Sequence, residues 1–258
     1  MTFWDHLDAL RAVLLRCGVV VIVIAVVAFG FRDELFDILL APKESDFCIY
    51  RLFRVFSELP NFHVELINTA LARQFIIHMQ ISFAAGVVVA SPYLLFEVFR
   101  FIAPALYPNE RKAMLPAIGV SYLMFIVGSL VNYFVIFPLT FRFLGTYQVS
   151  ADVPNMITLD SYISTLISLT LAFGLVFEMP VVCWILGRLG ILTAPMLRAV
   201  RRHAIVVILV VAAIITPTGD PVTLFLVSCP IWGLYEASIF LLPTHKPNQP
   251  NQPISTPS

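Results

Sequence analysis

Residues 101–112 read Phe-Ile-Ala-Pro-Ala-Leu-Tyr-Pro-Asn-Glu-Arg-Lys and separate two long apolar segments. Pro104 and Pro108 restrict the backbone angle φ and stiffen this turn. Glu110 then places one carboxylate beside Arg111 and Lys112. A loop that only joins two membrane helices needs none of these features. The stretch therefore predicts a rigid recognition surface, held between two helices that cross a membrane.

The composition extends this prediction to the whole chain. Its 258 residues are 59% hydrophobic and 12% charged, and the mean hydropathy is +0.90. A soluble domain is about 25% charged, so we predict an all-α, polytopic membrane protein. The formal net charge of zero implies no nucleic-acid partner. The four cysteines show no metal-binding or redox spacing, and no motif for an enzyme, a metal or a cofactor is present.

Six apolar segments follow one another along the chain and are read as membrane helices. They lie at residues 12–31, 75–96, 113–137, 162–186, 204–215 and 222–242. At about 1.5 Å per residue, the fifth segment covers roughly 18 Å of a hydrocarbon core that is about 30 Å thick. The fifth and sixth segments are therefore predicted to form a short helical hairpin around the turn at 216–221.

The positions of lysine and arginine predict the orientation. Most of these residues fall on alternate segments that include the N-terminus, the loop at 101–112 and the C-terminus, which places all three in the cytoplasm. We predict one membrane domain at 1–242 and a disordered cytoplasmic tail at 243–258, which is rich in Pro, Asn, Gln and Ser. The outer segment at about 32–74 is predicted to form a cap of short helices, one of them within 64–75.

Glu178 is an acidic residue inside the fourth apolar segment. Burying a carboxylate at this depth costs about 2.5–3.5 kcal/mol on insertion scales, so such residues usually face protein or water. One interpretation is a structural contact between helices, with Gly174 at the same interface. The other is a site for a partner helix or a proton. Pro180 removes a backbone donor two residues later and predicts a kink beside Glu178.

Three other acids each have a simple structural interpretation. Glu110 could balance the neighbouring basic residues, or it could bind a cationic ligand; a guanidinium would form a bidentate pair with it. Glu97 and Arg100 are one helical turn apart and predict a local ion pair. Asp220 is interpreted as a turn residue.

Four motifs, in order, resemble those of the TatC family, the multi-spanning receptor component of the twin-arginine protein translocase. The resemblance covers residues 3–242. The motifs are Asp5-His-Leu-x-x-Leu-Arg11, Phe101-Ile-Ala-Pro-Ala-Leu-Tyr-x-x-Glu-Arg111, Ala172-Phe-Gly-x-x-Phe-Glu-Met-Pro-Val181 and Thr216-Pro-x-x-Asp-Pro221.

The resemblance implies a glove-shaped bundle of six helices in the inner membrane, with both termini cytoplasmic. It implies binding of twin-arginine signal peptides and export of folded proteins with single-span partners of the TatA type, and of the TatB type where one exists. It also implies a homo-oligomer within a translocase complex. By motif position, Glu110 would bind the arginine pair, Phe101 and Pro104 would shape that surface, and Glu178 and Pro180 would contact partner helices. Arg11, Pro42 and Asp220 match further family positions.

One departure affects the recognition site. The family usually has Glu-Leu-Arg where this chain has Ala9-Leu10-Arg11, and that glutamate assists the acid of the inner loop. Asp8 is one residue earlier and therefore points about 100° away from position 9 around a helix. Glu97 stands where the family often has glutamine. We therefore expect the acidic site to consist of Glu110 with either Asp8 or Glu97.

Two other function classes are weaker alternatives. An ion-coupled transporter of small solutes could use Glu178, but such proteins often contain inverted repeats and several polar ligands near the midplane. The second half of this sequence does not repeat the first. An intramembrane hydrolase would need a nucleophile and a base, and no such pair is evident.

Overall fold

A computed structural model describes residues 3–51, 64–102, 114–148, 150, 155–216 and 219–242. Most of the described residues are helical, and two short strands form one small sheet. The helices are α1 (Phe3–Phe29), α2 (Arg32–Leu40), α3 (Arg73–Ile102), α4 (Met114–Val131), α5 (Phe137–Thr146), α6 (Leu159–Val176), α7 (Met179–Arg188), α8 (Ala194–Ala199), α9 (Arg201–Ile215) and α10 (Pro221–Leu241). The strands are β1 (Leu66–Ile67) and β2 (Ile157–Thr158).

Within the described residues, five helical segments are long and apolar enough to cross a membrane. They are Leu7–Phe29, Arg73–Ile102, Leu115–Thr146, Leu159–Arg188 and Pro221–Leu241. The predicted fifth segment is also helical, as α9, but it has 15 residues and a length of only about 22 Å. The prediction of an all-α polytopic membrane protein is confirmed, and so is the shortness of this helix.

The centre of the bundle is α6. Ile163, Leu166, Leu169 and Phe173 are completely buried and follow one another at intervals of three or four residues, so they form one stripe along the helix. This stripe belongs to the main hydrophobic core, to which α3, α5, α9 and α10 also contribute. By contrast, α1 lies at the periphery, where residues such as Val19, Ile22 and Val26 are exposed, as expected for a helix that faces lipid.

The peripheral helix α1 nevertheless packs closely on α3. A β-carbon added to Gly86 of α3 would lie 2.9 Å from the backbone oxygen of Val21 and 3.0 Å from Cβ of Ala25. Only glycine permits this approach, because any larger residue would push the two backbones apart. The close contact fixes α1 against α3, and the charged residues near their inner ends consequently meet.

The outer cap is anchored by tyrosines that donate hydrogen bonds to main-chain carbonyls near the end of α2. Tyr133 donates to the carbonyl of Ile38 at 2.5 Å, and Tyr162 donates to that of Leu39 at 3.0 Å. The last carbonyls of a helix have no intrahelical partner, so these bonds satisfy groups that would otherwise need water. Two helices of the bundle thus hold the short helix α2.

Tyr50 completes this arrangement, which we call the outer clamp (Tyr50, Tyr133 and Tyr162). Its hydroxyl lies 2.8 Å from the carbonyl of Pro138 and 3.2 Å from that of Pro42, so one proton is shared between two acceptors. Burial raises the pKa of the Tyr50 hydroxyl well above its usual value, which keeps it protonated as a donor. Arg142 lies over the Tyr50 ring, with 5.7 Å between the guanidinium carbon and the ring centroid.

We expect Tyr50→Ala to lower the free energy of unfolding by about 3–5 kcal/mol, because the side chain is only 1% exposed and its removal leaves a cavity. Tyr50→Phe should cost about 1–2 kcal/mol, the effect of losing the donor alone. Thermal unfolding in detergent measures both. Tyr147→Phe is the matched control because Tyr147 is 62% exposed. A Tyr50→Phe variant as stable as this control would contradict the role of the hydroxyl.

Part of the predicted cap is wrong. The outer segment does contain the short helix α2, but residues 64–75 do not form a short helix of their own. Instead, Leu66 and Ile67 of β1 pair in parallel with Ile157 and Thr158 of β2, and α3 begins at Arg73. The backbone of residues 66–67 pairs with residues about 90 positions later in the chain. The spacing of apolar residues within a short segment cannot predict such long-range pairing. The predicted tail at 243–258 lies outside the described residues.

Candidate functional site

The loop that the sequence singles out is bounded by α3 and α4. Phe101 lies in the last turn of α3 and is partly buried, while Ile102 ends this helix. Pro104 and Glu110 lie outside the described residues. The side chains described around this loop are therefore those near the inner ends of α1 and α3, where "inner" means the side that the charge pattern predicts to face the cytoplasm.

A buried carboxylate lies one helical turn before Phe101. Glu97 is only 2% exposed, and Oε2 of its side chain lies 3.1 Å from Nη2 of Arg16 on α1. Its Oε1 lies 3.5 Å from Nη1 of Arg100 and accepts a hydrogen bond from the Tyr93 hydroxyl at 3.2 Å. The local pair between Glu97 and Arg100 is thus confirmed, and a second arginine joins it from another helix. We call Arg16, Tyr93, Glu97 and Arg100 the inner charge cluster.

The contacts of Glu97 are loose for a buried charge. Charge-assisted hydrogen bonds between nitrogen and oxygen are usually about 2.7–2.9 Å long. Both arginine contacts exceed this length, and within the described residues the buried Oε2 of Glu97 has no hydrogen-bond partner. The carboxylate therefore retains unused hydrogen-bonding capacity.

The other predicted residues of α1 lie on different sides of this helix. Ala9 is partly buried and lies seven residues before Arg16, so both share the face that packs on α3. Asp8 and Arg11 are exposed, and Asp8 makes no ion pair within the described chain. Asp8 lies about 12 Å along the helix axis from Arg16. The structure therefore brings Glu97, but not Asp8, to the contact between α1 and α3.

Glu178 occupies a break between two helices. α6 ends at Val176 and α7 begins at Met179, so the predicted interruption before Pro180 is observed. Pro180 lies in the first turn of α7, where a missing N–H costs least. The backbone N–H of Glu178 donates to the carbonyl of Leu175 at 3.1 Å, a tighter turn than that of an α-helix.

The two carboxyl oxygens of Glu178 have different surroundings. Oε2 accepts a hydrogen bond from the hydroxyl of Ser121 on α4. Oε1 is inaccessible to solvent and has no hydrogen-bond partner in the described part of the chain. A buried polar atom without a partner is costly, so Oε1 is the atom at which an additional donor would be stabilised most.

Closely packed helices surround this carboxylate. A β-carbon on Gly174 would lie 2.6 Å from the Phe125 ring, which confirms Gly174 as a contact between helices. A β-carbon on Gly128 would lie 2.6 Å from the backbone oxygen of Phe173. Backbone cannot rotate away as a side chain can, and α4 and α6 therefore have a fixed separation near Ser121 and Glu178.

We expect Gly128→Ala to lower the melting temperature of the purified protein by several degrees, because its methyl group must force α4 from α6. Gly119→Ala is the matched control: it lies on the same helix, and nothing lies within 4 Å of the added β-carbon. Thermal unfolding in one detergent compares them. Equal melting temperatures would show that the contact at Gly128 relaxes without cost.

Two further predicted residues lie on the outer side and have structural contacts. Pro42 is buried in the 3₁₀ turn Ala41–Lys43, and its carbonyl is an acceptor of the outer clamp. Asp220 caps α10, since its Oδ1 accepts a hydrogen bond from the backbone N–H of Thr223 at 2.7 Å. This agrees with the interpretation of Asp220 as a turn residue.

Sequence reasoning missed the partners of both acids, the buried Glu97 and the partly buried Glu178. The sequence pattern does not single out Arg16, Tyr93 or Ser121 as partners of these acids. The available signal was a lone arginine in the first apolar segment and a glutamate directly after the second. Nothing in the sequence, however, shows which helix faces which.

The chain matches one family model, described as TatC, the Sec-independent protein translocase protein, over residues 5–230. It is 32% identical over 250 residues to the Sec-independent protein translocase protein TatC of Carboxydothermus hydrogenoformans, covering 96% of each chain. It is 36% identical to that of Aquifex aeolicus, covering 93% of this chain and 94% of the relative. A crystal structure of the twin arginine translocase receptor TatC matches with a TM-score of 0.75 and 35% identity, covering 92% of this chain and 97% of the solved one.

Proposed function

Since the chain belongs to the TatC family of Sec-independent protein translocase proteins, we propose that it captures twin-arginine signal peptides at the inner ends of α1 and α3. The chain is a multi-pass protein of the inner membrane and a component of the twin-arginine translocase, which is not an enzyme. Its translocase contains other Tat components. The proposal concerns which residues bind the signal and which bind partners.

The recognition site is proposed to pair Glu110 with Glu97. The observation that carries this proposal is the position of the buried Glu97 carboxylate, one helical turn before Phe101 and the loop that contains Glu110. Arginine forms bidentate pairs with carboxylates, and two carboxylates can receive two adjacent arginines. Phe101 and Pro104 would shape the same surface, and Arg11 would lie at its edge.

Glu97 is preferred to Asp8 as the second acid. Ala9 stands where the family usually has glutamate, and it shares a helix face with Arg16, the residue that contacts Glu97. Asp8 is exposed on another face of α1. A carboxylate at position 97 can therefore supply the charge missing at position 9, from the opposite side of the same interface.

A second site is proposed at Glu178 for the helix of a single-span partner. Its support is the buried Oε1, which has no hydrogen-bond donor among the described residues, together with the break between α6 and α7 that precedes Pro180. A partner helix with one polar side chain at this depth would satisfy that oxygen. We propose partners of the TatA type, and of the TatB type where one exists, and assembly of several copies within one translocase complex.

The transporter alternative receives no support from the comparisons, because the family model and the relatives are translocase proteins. A small-solute carrier should bind its solute alone. A translocase component should instead copurify with a small protein that has one membrane helix.

The proposal is tested by export in cells that lack their own receptor of this family. These cells would produce a folded reporter behind a twin-arginine signal, together with matched single-span partners and this protein. We expect the reporter on the outer side of the membrane, and none when the two arginines are replaced by lysines. Equal export of both reporters would contradict recognition of an arginine pair.

A further inference from the structure

The inner charge cluster already contains two arginines around one carboxylate. Arg16 approaches Glu97 from α1, and Arg100 approaches it from the same helix, at 3.1 and 3.5 Å. A guanidinium group on the Glu97 carboxylate is the same contact that we propose for an arginine of the signal peptide. The chain's own arginines thus occupy an acid of the recognition site.

This internal arrangement satisfies Glu97 incompletely. Among the residues that the structure describes, none forms a hydrogen bond with the buried Oε2 of Glu97, although Arg16 lies 3.1 Å away, and the contact with Arg100 is longer. A guanidinium that aligns two N–H groups with the two carboxyl oxygens would form shorter, charge-assisted bonds. The carboxylate therefore has more to gain from a well-aligned arginine than it now obtains from Arg16.

Arg16 is the member of the cluster that can leave. Its side chain is 45% exposed, so its guanidinium can turn into water or toward lipid headgroups without a large loss of solvation. Arg100 is more exposed, at 59%, but it lies three residues from Glu97 on the same helix and therefore stays within reach of it. Glu97 itself is only 2% exposed, and a ligand cannot reach it until a covering group moves.

We infer that Arg16 is an internal competitor that occupies Glu97 until an arginine of the signal peptide displaces it. This inference rests on the proposed function, because it describes how the same site is regulated. Displacement of a guanidinium by another guanidinium is nearly balanced in charge and gains from better alignment. Lysine offers one ammonium without the planar fork and competes less well. Competition from Arg16 therefore lowers the affinity for signal peptides and makes the site prefer arginine to lysine.

The test measures binding of a labelled synthetic signal peptide to the purified complete chain in lipid nanodiscs, with an arginine pair or a lysine pair. We expect Arg16→Gln to bind the arginine-pair peptide about fivefold more tightly than the unaltered chain, the size of one half-exposed ion pair. Arg201→Gln is the matched control: Arg201 pairs with Glu236 at 2.6 Å, between α9 and α10, and is 46% exposed. We expect this control to bind as the unaltered chain does.

A second substitution separates displacement from simple charge repulsion. Glu97→Gln introduced together with Arg16→Gln should abolish the gain in affinity, because the liberated acceptor is no longer charged. A gain that persists in this double variant would overturn the inference, since it would arise from removing a positive charge near the peptide. Unchanged or weaker binding by Arg16→Gln, in protein that melts like the unaltered chain, would overturn it as well.

Arg16→Lys covers the case in which Arg16→Gln does not fold. It keeps the charge between α1 and α3 but loses the planar fork, and we expect about twofold tighter binding of the arginine-pair peptide. Binding no tighter than that of the unaltered chain would contradict the inference. Failure of the proposed function looks different: the unaltered chain itself would then bind both peptides equally and would not require Glu110.

Discussion

Glu110→Ala is expected to weaken binding of a twin-arginine peptide by about tenfold to a hundredfold and to abolish export of a reporter that depends on it. A bidentate arginine–carboxylate pair contributes about 1.5–3 kcal/mol, and alanine offers no acceptor in its place. The neighbouring Arg111 and Lys112 would then repel the incoming arginines without compensation. Binding is measured with the purified chain in nanodiscs, and export with the cellular reporter.

The control for this prediction removes an acid from the opposite side of the membrane. Glu44 is 69% exposed in the outer cap beside Lys43, so Glu44→Ala changes the net charge equally without touching the inner loop. We expect unchanged binding for Glu44→Ala and for Asp8→Ala, and an intermediate loss for Glu97→Gln. If Glu110→Ala bound the peptide as tightly as Glu44→Ala does, the proposed site would be refuted. If Asp8→Ala weakened peptide binding and Glu97→Gln did not, the second acid of the site would be Asp8 and not Glu97.

Glu178→Ala is expected to reduce copurification of a single-span partner by about tenfold while leaving peptide binding unchanged. The partner loses the acceptor Oε1, and one hydrogen bond inside a membrane contributes about 1–2 kcal/mol. Peptide binding should persist because the inner charge cluster lies on α1 and α3, whereas Glu178 lies between α6 and α7. Quantitative copurification of a tagged partner, with the peptide measurement on the same samples, gives both results.

Ser121→Ala is the control for Glu178. It removes the hydroxyl that donates to Oε2 and leaves the carboxylate in place, so the partner's acceptor survives. We expect partner copurification close to that of the unaltered chain, or higher, because Oε2 is then also available. If Ser121→Ala and Glu178→Ala reduced copurification equally, the carboxylate would act by holding α4 to the helix break and not by binding a partner.

The parts of this fold that depend on neighbouring residues could be predicted from the sequence. Apolar length located the membrane helices, and proline chemistry located the interruption before Pro180. The short α9 followed from the apolar length of its segment, and the cap by Asp220 is consistent with its turn context. In each case the determining residues lie within about one or two helical turns of one another.

The parts that depend on distant residues could not be predicted. The helix expected within 64–75 is partly a strand because its partner lies at 157–158. The buried pair of Arg16 and Glu97 requires knowing that α1 packs on α3, which the backbone approach at Gly86 determines. Tyrosines occur throughout the chain, and only the assembled bundle shows that three of them converge on α2 and the turn after it.

The outer clamp also constrains the order in which this protein can be made. The acceptor at Leu39 precedes its donor at Tyr162 by 123 residues, and the acceptor at Ile38 precedes Tyr133 by 95. Domains are synthesised from the N-terminus at about 5–20 residues per second, so α2 emerges several seconds before either donor. The hydrogen bonds from Tyr133 and Tyr162 to α2 therefore cannot form until the segments that carry these two donors have been synthesised and inserted into the membrane.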